Sequence, residues 1–201
     1  SICDTASNSS ACKPCQVGYY GDAATGDCYL CPAGGFFQDA VGIVGTSGHC
    51  GCKKCSEGTF SDEPGGDSVQ SCKKCPLNTN SEVYAGYRAC PCLPDHFRYH
   101  RFQRCESCLQ MEGIKCRADI RVLKPGYWWG FLDETARARY DNFTSDLLKE
   151  SAEAIVSLNQ TGFPIAYECP TSKACTGGAA STCAKGYKGI LCSLCEDRYF
   201  E

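Results

Sequence analysis

The sequence predicts a small disulfide-rich fold: an elongated tandem of cysteine-rich modules built from short β-hairpins, interrupted by one helix-bearing insertion. Three observations predict it. Twenty of the 201 residues are cysteine, about one in ten, which is the density of a disulfide scaffold rather than of an ordinary globular domain. Those cysteines recur in close pairs separated by short, glycine-punctuated loops. The stretch from Arg117 to Glu168 breaks the rhythm, holding no cysteine but carrying apolar residues at helical spacing.

The cysteine load sets the compartment. A reducing cytosol would not keep so many pairs oxidised, so the chain is expected to be extracellular or displayed at a cell surface. Three glycosylation sequons agree with secretion: Asn8-Ser9-Ser10, Asn142-Phe143-Thr144 and Asn159-Gln160-Thr161. The chain opens at Ser1-Ile2-Cys3 without a charged-then-apolar leader, so a signal peptide is expected to have been removed. Its end, Cys192-Ser193-Leu194-Cys195 followed by Arg198-Tyr199-Phe200-Glu201, reads as a module cut short and the chain as a piece of a longer protein. No run of 18 apolar residues occurs, so no membrane span is expected in this segment. A net charge of -3 argues against nucleic acid as a partner.

The rhythm consists of six Cys-x-x-Cys pairs (Cys12/Cys15, Cys28/Cys31, Cys52/Cys55, Cys72/Cys75, Cys105/Cys108, Cys192/Cys195) and two Cys-x-Cys pairs (Cys50/Cys52, Cys90/Cys92). Several intervening loops begin with glycine and an aromatic: Gly18-Tyr19-Tyr20, Gly35-Phe36-Phe37 and Gly58-Thr59-Phe60. Glycine permits the tight turn and the aromatic packs on the neighbouring disulfide as a small local core. With so little interior per module, crosslinks must replace burial, each closed loop of about 15 residues contributing about 3 kcal/mol in the chain-entropy model. Modules are expected at residues 1–51, 52–116 and 169–201, with the cysteine-free insertion at 117–168.

Within the insertion, Leu147, Leu148, Ala152, Ile155 and Val156 lie on one face of a helix expected at about residues 145–158. Thr144 or Ser145 would cap it, Asp146 suits its first turn, and Gly162 lies beyond its end. The aromatic segment Tyr127-Trp128-Trp129-Gly130-Phe131-Leu132 is the nearest cover for its apolar stripe.

Two resemblances follow from the motifs. Cys183-Ala184-Lys185-Gly186-Tyr187-Lys188-Gly189-Ile190-Leu191-Cys192 is similar to the hairpin that closes epidermal-growth-factor-like modules, which implies a Cys183–Cys192 disulfide. The acidic lead of the calcium-binding version does not precede Cys169, so calcium is not implied. Residues 52–108, through Cys55-Ser56-Glu57-Gly58-Thr59-Phe60, Cys72-Lys73-Lys74-Cys75-Pro76 and Cys90-Pro91-Cys92 to Cys105, resemble the cysteine-rich repeat of ephrin-receptor ectodomains. That repeat belongs to the wider growth-factor-receptor and tumour-necrosis-factor-receptor-like group, and the likeness implies a Cys92–Cys105 pair. Cys15, Cys28, Cys55, Cys72, Cys75 and Cys90 are expected in further disulfides whose pairing the spacing leaves open. Modules of this type serve as spacers, stalks and matrix components, so the likeness speaks to fold and hardly to function.

Zinc is the rival chemistry: Cys12/Cys15 with Cys28/Cys31, and Cys52/Cys55 with Cys72/Cys75, come near four-thiolate spacing. The Cys-x-Cys pairs, sequons and glycine–aromatic loops favour disulfides, and no metal or other cofactor is expected. Only three histidines occur (His49, His96, His100), no hydrolase, metalloprotease or phosphate-loop motif is present, and the chain is not expected to be an enzyme.

Two features are candidate binding surfaces. The strip His96-Phe97-Arg98-Tyr99-His100-Arg101-Phe102-Gln103-Arg104 sets Arg98, His100, Arg101 and Arg104 among aromatics. It is either a dock for an acidic glycan or protein patch, or a hairpin with aromatics inward and basic groups outward. Tyr127, Trp128 and Trp129 are either an exposed partner anchor or the core beneath the helix, the latter favoured. The function expected is a structural or adhesive segment of a secreted or cell-surface glycoprotein, assembling with other proteins or with itself. A ligand-binding receptor ectodomain and a protist-type cysteine-rich surface antigen are the alternatives.

Overall fold

A computed structural model of the chain describes residues 14–22, 25–42, 44–45, 51–149, 151, 158 and 160–197. Their fold is a small disulfide-rich one: one three-stranded and six two-stranded sheets, a single α-helix and eight disulfides. The bridges are Cys15–Cys28, Cys31–Cys52, Cys55–Cys72, Cys75–Cys90, Cys92–Cys105, Cys108–Cys116, Cys169–Cys175 and Cys183–Cys192. They follow one another in series, none nested in another. Their separations run from 6 to 21 residues, so each closed loop contributes about 2–3 kcal/mol by restricting the unfolded chain. Cys195 has no partner among the described residues; Cys3, Cys12 and Cys50 lie outside them.

The chain divides into two compact units, Ser1–Pro91 with Phe102–Arg104 and Glu150–Glu153, and Cys92–Arg101 with Cys105–Lys149 and Ala154–Glu201. Compactness thus groups the chain differently from the cysteine rhythm.

In the first unit Tyr19–Asp22 pairs antiparallel with Cys28–Leu30 and parallel with Val44–Gly45. Phe36–Phe37 pairs with Lys53–Lys54, and Thr59–Phe60 with Lys73–Lys74. The glycine–aromatic loops supply its interior. Phe60 is buried with Ala85, Ala89 and the Cys75–Cys90 bridge, and stacks on Phe102 with centroids 6.2 Å apart. Phe36 is buried against Tyr87 at 4.9 Å. Gly34 makes the closest approach: at φ +116, an added Cβ would stand 2.2 Å from the Gly86 carbonyl oxygen, so no other residue fits there.

In the second unit His96–Phe97 pairs with Glu106–Ser107, Ile114–Arg117 with Ile120–Leu123, and Tyr127–Gly130 with Ile165–Glu168. The cysteine-free insertion is therefore woven into its flanks, since Ile120–Leu123 completes a hairpin whose other strand carries Cys116. Phe97, Cys108, Ile114, Leu123 and Trp129 form the buried core.

The helix spans Glu134–Leu148 and corrects the expected span of 145–158, with which it shares only Ser145–Leu148. Asp133 caps it, its side chain accepting the Ala136 N–H at 2.7 Å, and Glu134 places a negative charge in the first turn. Thr144 and Ser145, expected as caps, lie inside it, and the Thr144 hydroxyl donates to the Asp141 carbonyl. The stripe that faces inward is Tyr140, Phe143 and Leu147, at spacings of three and four. The helix ends at Lys149, where ψ swings to 134, because the Arg101 guanidinium donates to the terminal carbonyls of Lys149 (2.7 Å) and Asp146 (3.3 Å). Residues 152–157, which carry Ala152, Ile155 and Val156, lie outside the described residues.

Candidate functional site

The hairpin of Tyr127–Gly130 and Ile165–Glu168 organises the second unit. Trp129 stands opposite Ala166, Trp128 opposite Tyr167 and Gly130 opposite Ile165. Side chains alternate across a strand, so Trp129 and Ala166 share the face that meets the core while Trp128, Tyr167 and Ile165 share the other. Trp129 is 2 % exposed, and its indole N–H donates to the Ala179 carbonyl at 3.0 Å. Its backbone N–H donates to Ser181 Oγ, which closes the outer edge of that strand. Tyr127 and Trp128 are half-buried. The three aromatic candidates therefore part company: Trp129 is core and not a partner anchor, whereas Trp128 reaches the surface.

The outward face is shaped by a glycine. A Cβ on Gly130 would lie 2.2 Å from the Tyr167 ring, so the missing side chain lets Tyr167 lie across the strand. Trp128, Phe131 and Tyr167 then line an open groove of about 660 Å³, with Ile190 and Leu191 on its far side. Asp133, Glu134 and Arg137, from the start of the helix, supply its charged rim. Ile190 and Leu191 come from the end of the Cys183–Cys192 loop, next to its disulfide, where Leu191 takes a left-handed conformation at φ 57. Ile190 is 75 % exposed and Tyr167 50 %, so a continuous apolar surface faces solvent. Among the described residues no group of three histidine, cysteine, aspartate or glutamate side chains could hold a metal ion.

Behind the hairpin, five aromatic rings gather around a cation. The Arg121 guanidinium carbon sits 4.2 Å from the Phe163 centroid, 5.2 Å from Phe97 and 5.8 Å from Trp129. Tyr99 and Tyr140 complete the cage by packing edge-on against Phe163. Burial lowers the Arg121 pKa and pushes the Tyr140 hydroxyl up to about 12, and that hydroxyl donates to the Arg121 carbonyl at 3.1 Å. Neither Arg121 nor Phe163 was among the expected site residues. A lone Arg in an otherwise apolar strand, Ile120-Arg121-Val122-Leu123, was the available signal.

The basic strip is not an outward docking face, and this corrects both its readings for Arg98 and Arg101. Arg98 is 0 % exposed. Its Nε donates to Cys92 Sγ at 3.3 Å, one terminal nitrogen to Cys105 Sγ at 3.2 Å and the other to the Arg101 carbonyl at 2.8 Å. Asp119, itself 1 % exposed, lies 3.3 Å from Nε as counter-charge and accepts the Cys92 N–H at 2.7 Å. Arg101 is spent on the helix terminus. The reason is geometric: a guanidinium bonds the several acceptors of a crosslinked turn that no apolar side chain could satisfy. His100 is half-buried, its pKa lowered by burial and then by Arg98, and Arg104, in the other unit, is exposed.

The structure joins Cys183 to Cys192 and Cys92 to Cys105, and places Cys15, Cys28, Cys55, Cys72, Cys75 and Cys90 in the further bridges Cys15–Cys28, Cys55–Cys72 and Cys75–Cys90. The sulfurs of Cys52, Cys55, Cys72 and Cys75 are thereby committed to crosslinks rather than to one four-thiolate cage. Asn142 is exposed on the helix, while Asn8 and Asn159 lie outside the described residues.

The chain matches no protein-family model. It is similar to human (Homo sapiens) laminin subunit alpha-3, 34% identical over 85 residues, covering 36% of this chain and 2% of that subunit. It is also similar to mouse (Mus musculus) laminin subunit gamma-3, 30% identical over 100 residues, covering 42% of this chain and 6% of that subunit. The chain thus spans a small fraction of the length of these relatives. Together with the disulfides, the likeness fits a cysteine-rich repeat of the epidermal-growth-factor-like kind.

Proposed function

We propose that this chain is a non-enzymatic structural segment of a secreted or cell-surface glycoprotein, and that it mediates protein–protein assembly in a matrix or surface filament. The observation that carries the reading is the series of short-loop disulfides on either side of the cysteine-free insertion, which stiffens surface hairpins without a large core and persists only in an oxidising compartment. Similarity to two laminin subunits supports a structural role in the extracellular matrix over a ligand-binding receptor ectodomain or a surface antigen. The apolar groove beside Trp128 and Tyr167 supplies a surface for contact with other proteins. The sequons at Asn8, Asn142 and Asn159 are the proposed N-glycosylation sites, and of these Asn142 is exposed on the helix.

Sedimentation velocity of the oxidised chain over a concentration series tests the reading. An assembly segment self-associates as concentration rises; a chain that stays monomeric throughout behaves as a receptor stalk and overturns the proposal. Mass spectrometry of unreduced peptides is the companion measurement, and recovery of most cysteines as free thiols would equally overturn it.

A further inference from the structure

Among the described residues, the strand Ile165–Glu168 has an open edge. In an antiparallel pair, residues alternate between those that exchange both backbone hydrogen bonds with the partner and those whose N–H and C=O point away. The Trp129 N–H leaves the hairpin to reach Ser181, and the Tyr127 N–H leaves it to reach the Lys124 carbonyl. Both belong to the outward-pointing set, and so do their opposites, Ala166 and Glu168. On the Tyr127–Gly130 side these groups are satisfied. On the other side, the outward N–H and C=O groups of Ala166 and Glu168 have no hydrogen-bond partner among the described residues. Ile165 and Tyr167 flank them at 61 % and 50 % exposure, and the strand holds no lysine, proline or bulge of the kind that blunts an edge.

We infer that this edge binds a second copy of the same strand, the two chains pairing antiparallel about a two-fold axis. The inference deepens the assembly reading and rests on it. The register follows from the hydrogen-bonding parity. Outward-pointing residues must meet outward-pointing residues, so Ala166 faces Glu168 of the other copy, or Ala166 faces its own equivalent, or Glu168 faces its own equivalent. The second register sets Glu168 against Pro164 and the third sets Ala166 against Pro170, neither of which has an N–H to give, so the first is selected. It forms four intermolecular hydrogen bonds, two from each copy, and brings Tyr167 opposite its own equivalent in the closely spaced, non-hydrogen-bonded position. Charge is compatible: each Glu168 lies across from an alanine, not from the other carboxylate. Aromatic meets aromatic on the face that already carries Trp128 and Ile165.

The extent of the contact sets its strength. A four-residue strand pair buries less than the roughly 800 Å² per partner of a standard interface, so the dimer is weak and concentration-dependent. This suits a contact multiplied along an assembled structure.

Three preparations of the full oxidised chain test it by sedimentation equilibrium: wild type, Glu168→Pro and Tyr167→Lys. Glu168→Pro deletes one outward N–H per copy and leaves the hairpin bonds intact, because that N–H points away from Tyr127. Two of four bonds are lost, each worth about 1 kcal/mol, so the dimer constant should weaken about thirty-fold. Tyr167→Lys places like charges across the axis and should also abolish association. An unchanged far-ultraviolet circular dichroism spectrum and an unchanged disulfide map certify that each variant folds. Photo-induced dityrosine coupling of the wild type should yield a Tyr167–Tyr167 crosslink between copies. If the wild type associates but both variants associate equally well, or the crosslink maps to other tyrosines, this inference fails while the assembly reading stands. If the wild type remains monomeric at every concentration, both fail.

Discussion

Asp119→Asn removes one charge of a buried ion pair. Arg98 and Asp119 are 0 % and 1 % exposed, and Asp119 stands 3.3 Å from the guanidinium, whose contacts include two disulfide sulfurs and a carbonyl. Sulfur is a weak acceptor and carries no compensating charge. Asparagine preserves what is not under test. It tolerates the left-handed backbone at φ 73, and its carbonyl oxygen still accepts the Cys92 N–H. What disappears is the negative charge, leaving a buried cation uncompensated, which costs about 3–5 kcal/mol. Urea unfolding of the oxidised chain, read by tryptophan emission, should show the midpoint falling by about 2 M at a slope of about 2 kcal/mol per molar. Adding Arg98→Met removes the stranded cation, so the double variant should be more stable than Asp119→Asn alone, with a coupling energy of about 2 kcal/mol. A loss below about 1 kcal/mol in the single variant, or no coupling in the cycle, would refute the assignment of this pair as a mutually dependent buried ion pair.

Three further outcomes are expected. Arg101→Met should cost about 1–3 kcal/mol and lower helical circular dichroism, since the terminal carbonyls of Asp146 and Lys149 lose their charged donor. Trp129→Ala should cost about 3–5 kcal/mol in the same urea assay, whereas Leu132→Asp, at a side chain 94 % exposed, should change stability by less than about 0.5 kcal/mol. Tyr140 carries the pH signature. Burial favours its neutral form and raises its pKa from 10.0 to about 12, so the stability it contributes is intact below pH about 10 and is lost as pH climbs toward 12. That loss approaches about 2 kcal/mol for a shift of this size. Short alkaline unfolding scans should show a steeper decline for wild type than for Tyr140→Phe; parallel curves would contradict the burial of that hydroxyl.

Much of the fold was legible because cysteine spacing and glycine position are local properties. Gly58-Thr59-Phe60 announced a turn with an aromatic behind it, and Phe60 does pack on the Cys75–Cys90 bridge. The Cys183-to-Cys192 crosslink is likewise local, closed within ten residues. The helix was misplaced for the opposite reason. Its inward stripe has only Tyr140, Phe143 and Leu147, and Arg137 and Arg139 obscure the start, whereas residues 147–156 look more amphipathic in isolation. What stops it at Lys149 is a side chain at position 101, which no window around the helix contains. The basic strip misled similarly: Arg98 reads as a surface cation until Asp119, distant in sequence, is seen folded against it. The open edge of Ile165–Glu168 was invisible for a related reason, because which backbone groups remain unspent depends on strand pairing and not on residue type.

The series arrangement of the crosslinks has a mechanical consequence. When the chain is pulled along its length, tension entering at Cys15 passes from ring to ring through sulfur, crossing only the short links Cys28–Cys31, Cys52–Cys55, Cys72–Cys75, Cys90–Cys92 and Cys105–Cys108. The polypeptide inside each ring is shielded from load and cannot be paid out. Beyond Cys116 no sulfur shortcut occurs until Cys169. Slack is therefore concentrated between those two residues, where about 3.3–3.6 Å of length per residue is released once the caged arginine and its rings give way. The molecule behaves under strain as a stiff leader joined to a built-in shock absorber.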